Sequence, residues 1–241
     1  MEIKTLIIYE DDDYIVINKP PGLLTIPDRF EIFKENLLEI LEGYYNRVYI
    51  IHRIDKDTSG IVCFAKNPLA HKELTKRFFL HEVEKTYLAV VYGNLPTKEG
   101  KIELPISQDK NNPQRMKIDF KDGKESITFY KVLEEFKDYT LLELKPLTGR
   151  RHQIRIHLTT IGYPVVADQL YSGKNCFYLS SIKKNYKKKN SEKPLIERQA
   201  LHSYKIKFFH FRKKQQIELT APLPKDMQLL IKYLRKYNKK V

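Results

Sequence analysis

The chain has 241 residues, enough for one large domain or two small ones around a substantial core. Its 44 Lys and Arg residues against 30 Asp and Glu give a formal charge of +14, which favours an anionic partner, nucleic acid first and an acidic membrane surface second. With Cys63 and Cys176 as the only cysteines, no Cys/His grouping has zinc-ligand spacing; phosphate-binding glycine loops and dinucleotide fingerprints are also missing, so no metal is expected.

The N-terminus runs from Met1 straight into Glu10-Asp-Asp-Asp13, without the basic start and long apolar segment of a signal peptide. No apolar run approaches the roughly 20 residues a membrane helix needs, so the cytoplasm is expected. Leu6–Tyr9 and Tyr14–Asn18 read as strands around that acidic turn. Lys19-Pro20-Pro21-Gly22 then stiffens the chain, since two prolines fix φ and Gly22 can take a positive one. Ile32, Leu37, Leu38 and Leu41 predict a helix over Glu31–Leu41.

Val48–Ile51 and Ile61–Ala65 are short, β-branched, apolar runs that read as buried strands; Cys63 in the second serves as a small buried hydrophobe. Between them His52-Arg-Ile-Asp-Lys-Asp-Thr-Ser-Gly60 carries an imidazole, two cations, two carboxylates, two hydroxyls and a glycine. On composition alone this could be a polar surface loop. It is also far more chemistry than a turn requires, and loops held by a sheet are where binding and catalytic groups concentrate.

Asn67-Pro68 is a cap and first helical position, and Ala70, Leu74 and Phe78 share one face of the predicted helix. Glu84–Gly93 is a strand closed by glycine. Lys101–Leu104, Met116–Phe120, Ser126–Tyr130 and Thr140–Leu144 predict an antiparallel meander with one wet face. In Leu147-Thr-Gly-Arg-Arg-His-Gln-Ile-Arg-Ile-His-Leu158, Thr148 can cap a helix whose apolar stripe is Ile154, Leu158 and Ile161, closed by Gly162. Arg151 and Arg155 then share a face, and Arg150 and Arg151 stand where a helix N-terminus favours phosphate. The six lysines of Lys183–Lys193 predict a mobile surface excursion and an electrostatic contact for RNA. Leu201–Phe209 and Gln216–Thr220 are strands, and Met227–Tyr237 is an amphipathic helix.

The two polar blocks, His52-Arg-Ile-Asp55 with Thr58-Ser-Gly60 and Thr148-Gly-Arg-Arg-His-Gln-Ile-Arg-Ile-His157, closely resemble the signatures of the RluA-type family of pseudouridine synthases. The resemblance runs from about residue 6 to 225. It implies an α+β fold, a mixed and mostly antiparallel sheet flanked by helices with a central RNA-binding cleft. It implies one catalytic domain over 1–241, without an appended N-terminal RNA-binding module. The implied activity is isomerisation of uridine to pseudouridine in ribosomal or transfer RNA, without cofactor, by a monomer.

By the same resemblance Asp55 is the catalytic aspartate, Arg155 the arginine that pairs with it, and Tyr87 the tyrosine that packs on the target base. Arg53 would fill the gap or hold the strand when the uridine is flipped out, and Arg150 and His152 would contact phosphate or base. Lys19 matches a family lysine that could approach phosphate, and is equally a plain strand-end lysine. Three positions depart from the pattern: Ile54 replaces leucine, Arg151 stands where Thr or Ser is common, and Ala167 precedes Asp168 where glycine is usual. The rival readings are a non-catalytic RNA-binding protein on the same fold, a metal-dependent nuclease using Asp55, Asp57 and nearby histidines, and a basic domain that binds membranes.

Overall fold

The computed structural model describes residues 3–28, 33–187 and 191–240. In chain order its first elements are β1 (Ile7–Glu10), β2 (Tyr14–Lys19), α1 (Leu37–Glu42), β3 (Tyr49–Ile50), β4 (Ser59–Ala65), α2 (Pro68–Phe79) and β5 (Glu84–Tyr92). There follow β6 (Glu99–Glu103), β7 (Ile106–Gln108), β8 (Met116–Ile118), β9 (Ile127–Glu135) and β10 (Tyr139–Pro146). The chain ends with α3 (Gln153–Thr160), α4 (Gln169–Ser172), β11 (Leu201–His210), β12 (Gln215–Thr220) and α5 (Lys225–Tyr237). The architecture is α+β with mostly antiparallel pairing. Two compact units emerge, one of residues 1–86 and 202–222, the other of 87–201 and 223–241.

In the first unit β2 lies antiparallel between β1 and β4, and β3 also pairs with β4. β11 adds the parallel contact, His202 beside Ser59 and Ser203 beside Gly60, and β12 follows it antiparallel. All seven residues of β4 are buried, which is why its sequence is a continuous apolar run rather than an alternating one. Cys63 is buried there as a small hydrophobe, its thiol pushed up by burial. α2 starts as its sequence predicts: the Asn67 side chain accepts the Ala70 N–H at 2.9 Å and Pro68 opens the helix. Its Ala70 and Leu74 pack with Tyr14, Val16, Ile61 and Phe208.

The helix expected over 31–41 is shorter. Asn36 caps it by accepting the Glu39 N–H at 3.0 Å, so α1 begins at Leu37; Glu31 and Ile32 lie outside the described residues.

In the second unit β5, β10, β9 and β6 pair antiparallel in that order. The expected meander is corrected here. Met116–Ile118 pairs not with its predicted neighbours but with β7, a three-residue strand outside the predicted set. This hairpin lies between β6 and β9 in the chain, and β6 joins β9 across it. α5 buries Met227, Leu230, Ile231 and Leu234 against a core that includes Val90, Leu141 and Leu142. Each such side chain contributes on the order of 2 kcal/mol. Of Lys183–Lys193, residues 188–190 lie outside the described residues; Lys183 rests over the Tyr186 and Tyr237 rings, and Glu192 accepts the Ser180 N–H at 2.8 Å. No helix among the described residues is long and apolar enough to cross a membrane.

Candidate active site

The loop between β3 and β4 is fixed on both sides of Asp55. Thr25 Oγ1 donates to the Ile54 carbonyl at 3.1 Å, and the Thr58 N–H donates to the Asp55 carbonyl at 3.1 Å. The Lys56 carbonyl accepts both the Gly22 N–H at 3.0 Å and Lys19 Nζ at 2.7 Å. Three successive carbonyls, of residues 54, 55 and 56, are thus held while the Asp55 side chain remains only half-buried.

His52 anchors the loop's start. Its ring stacks on Phe78 with centroids 4.9 Å apart, and Nε2 accepts the Cys63 N–H at 3.1 Å. Burial, with the nearby Lys85 charge second, pushes the imidazole down to about 3, so it is neutral. Burial likewise pushes the Lys85 ammonium down to about 8. At the far end Ser59 Oγ lies 2.9 Å from His202 Nδ1, while His202 Nε2 faces the Ala221 carbonyl at 3.2 Å. A carbonyl only accepts, so Nε2 carries the proton and Ser59 donates to Nδ1. Gly60 has φ 108°, and a Cβ there would stand 2.1 Å from the Ser203 oxygen, so no side chain fits.

Lys19 is placed by its contacts. It is fully buried, and its Nζ donates to the carbonyls of Pro20, Leu23 and Lys56 at 3.0, 2.7 and 2.7 Å. It ties the end of β2 to the Asp55 loop and is not exposed to a phosphate. Arg53 is exposed on the loop.

In the second unit Tyr87 sits half-buried on β5 opposite Leu144 of β10. The start of α3 differs from its sequence-based expectation. Thr148 does not cap the helix; its hydroxyl donates to Gln153 Oε1 at 2.8 Å and accepts the Ile127 N–H. The residue before the helix is His152, held left-handed at φ 54° with no side-chain cap. Gln153 reaches back instead, accepting the Arg150 N–H at 2.9 Å and donating to Ile127 O and Thr128 Oγ1.

Arg155 is 6% exposed and makes a two-pronged pair with Asp168, Nε to Oδ2 at 2.7 Å and Nη2 to Oδ1 at 2.8 Å. Asp168, itself fully buried, also caps α4 by accepting the N–H groups of Leu170 and Tyr171. Arg151 does not share a face with Arg155: it lies exposed before the helix, its Nη1 and Nη2 donating to the Pro113 and Gln114 carbonyls at 2.9 and 3.0 Å. The unusual arginine thus staples the β7–β8 hairpin. Arg150 is exposed with Nε on the Glu125 carbonyl at 3.2 Å. His152 Nδ1 lies 3.0 Å from the Tyr171 hydroxyl.

Two residues that matter to this geometry, Asp168 and Tyr171, were not singled out from sequence. The capping run Asp168-Gln-Leu-Tyr-Ser-Gly173 was a legible short-helix signal. The long-range pairing of residues 155 and 168 was not.

The family model described as RNA pseudouridylate synthase matches residues 13–160. A Bacillus subtilis protein named uncharacterized RNA pseudouridine synthase YlyB is 37% identical over 239 residues, 95% of this chain and 73% of its own length. Ribosomal large subunit pseudouridine synthase D of Blochmanniella floridana is 35% identical, covering 96% of this chain and 73% of its own. Dual-specificity RNA pseudouridine synthase RluA of Vibrio parahaemolyticus is 35% identical, with 86% and 78% covered. The human RNA pseudouridylate synthase domain-containing protein 4 has the same fold, at a TM-score of 0.72 and 20% identity over 97% of this chain and 94% of its own. The class is therefore an isomerase of uridine in RNA. The chain belongs to the RluA-type family of RNA pseudouridine synthases.

Proposed function

We propose that this enzyme isomerises particular uridines in ribosomal or transfer RNA, with Asp55 as the catalytic carboxylate. The observation that carries the reading is the immobilised loop: Lys19, Thr25 and Thr58 hold the backbone of Ile54, Asp55 and Lys56 while the carboxyl stays half-buried. A loop fixed in this way gives a reacting group a defined position. The names of two relatives, one acting on the ribosomal large subunit and one of dual specificity, support the substrate class.

The reaction rearranges one molecule. The bond from the sugar C1′ to uracil N1 breaks, the base turns, and C1′ bonds to C5; C5 loses a proton and N1 gains one. Atoms and electrons balance without a co-reactant. Asp55 serves as nucleophile or as base at the sugar, and then handles the proton at the ring. Tyr87 packs on the target base, and Arg155 supplies positive charge to the carboxylate. Arg53, Arg150 and His152 contact the RNA, whose target uridine is flipped from a loop or single-stranded stretch at a cost of a few kcal/mol. The protein works in the cytoplasm as a monomer, with residues 1–241 forming a single catalytic domain.

The test is tritium release from C5 of uridine-labelled ribosomal and transfer RNA. Release by wild type and none by Asp55→Asn, with RNA binding retained, is the expected result. Equal release by both would remove Asp55 from the chemistry.

A further inference from the structure

Tyr171 lies beyond the stretch matched by the family model, yet the α3 N-terminus converges on it. Its ring is 7% exposed and packs with Ile106 and Ile156. The Arg155 guanidinium carbon stands 5.1 Å from the ring centroid, and that of Arg115, just before β8, stands 5.3 Å away. The hydroxyl accepts the Met116 N–H at 2.9 Å, which orients the phenol. The same oxygen pairs with His152 Nδ1 at 3.0 Å. It also braces a non-glycine residue in the left-handed region at φ 54°, a conformation that persists where its surroundings hold it.

We infer that Tyr171 is a positioning residue of the active site, its ring seating Arg155 and its hydroxyl holding His152. The two halves are separable because they use different atoms. Asp168 grips the Nε and Nη2 edge of the guanidinium, and the Tyr171 ring supports its face, so the charge is held in direction as well as in place. The inference rests on the pseudouridine synthase reading for its kinetic consequence, but not for its geometric one.

Two variants and two readouts test it. Tyr171→Phe keeps the ring and removes the hydroxyl; Tyr171→Leu removes both. By tritium release, Tyr171→Phe is expected to keep kcat within threefold and raise KM three- to tenfold. Tyr171→Leu is expected to lose more than tenfold in kcat. A merely structural tyrosine would not divide kcat from KM in this way. A Tyr171→Leu protein that folds and keeps kcat within threefold overturns the inference, as does Tyr171→Phe losing more than tenfold in kcat. Should Tyr171→Leu not fold, Tyr171→Phe alone decides by the same limits. The second readout is the Arg155 Nε–H resonance of the full chain, assigned with Arg155→Lys. It is expected to move in Tyr171→Leu and stay in Tyr171→Phe, and an unmoved line in Tyr171→Leu overturns the seat. Wild-type protein that releases no tritium from any RNA contradicts the proposed function and leaves the resonance to test Tyr171.

Discussion

Asp168 holds Arg155 by both oxygens, at 2.7 and 2.8 Å, with both side chains removed from solvent. A buried cation oriented in this way is fixed before any substrate arrives, and the same carboxylate starts α4 by accepting the Leu170 N–H. The pair therefore links a helix cap to the arginine proposed to serve the reaction.

Removing one partner strands the other's charge in the interior, which costs about 3–5 kcal/mol. Asp168→Ala is expected to lower the unfolding free energy by that amount in a urea titration and to lose most of kcat in whatever protein folds. A loss below about 1 kcal/mol would mean that water reaches the guanidinium.

Lys19 gives a sharper contrast. If its ammonium braces the Asp55 loop, Lys19→Met should reduce kcat at least tenfold and leave the salt dependence of RNA binding unchanged. A phosphate contact would instead reduce the slope of log K against log salt by about 1, with catalysis spared. Filter binding at several salt concentrations separates the two.

Ala167 occupies φ 57°, in the left-handed region that favours glycine. The alanine carries the strain of this turn. Ala167→Gly is expected to stabilise the protein by about 1 kcal/mol, read as an upward shift of the melting temperature. An unchanged or lower melting temperature would contradict this account of the turn.

His52 sets a pH dependence. Its folded-state value, about 3, lies below the ordinary 6.5. Below 6.5 the unfolded chain takes a proton that the folded chain refuses, so this stability is complete above pH 6.5 and is lost as the pH falls toward 3. The melting temperature should drop between pH 7 and 5. His52→Gln, whose amide oxygen can still accept the Cys63 N–H, should flatten the drop. His157, also pushed down by burial, adds to the slope in the same direction.

Much of this architecture was legible because local chemistry specified it. Asn67-Pro68 announced α2, the apolar run 61–65 announced a strand buried on both faces, and the amphipathic pattern after 225 announced α5. The failures share one cause, the dominance of distant contacts over local propensity. Thr148 looked like a helix cap but spends its hydroxyl on Gln153 and the Ile127 N–H. Lys19 looked like a surface cation because three backbone carbonyls converging on one ammonium leave no trace in spacing. Arg151 looked like an RNA contact, yet its partners are two carbonyls 38 and 37 residues away. The motifs around Asp55 and Arg155 gave the family; they could not give the partner of Arg155, 13 residues on.

The most direct measurement maps pseudouridine in total RNA from cells with and without this protein, by carbodiimide labelling and reverse-transcription stops. The account predicts at least one site in ribosomal or transfer RNA that is lost without the protein, restored by wild type and not restored by Asp55→Ala. No lost site in either RNA, alongside retained RNA binding, would contradict it and favour a binding protein that kept the fold.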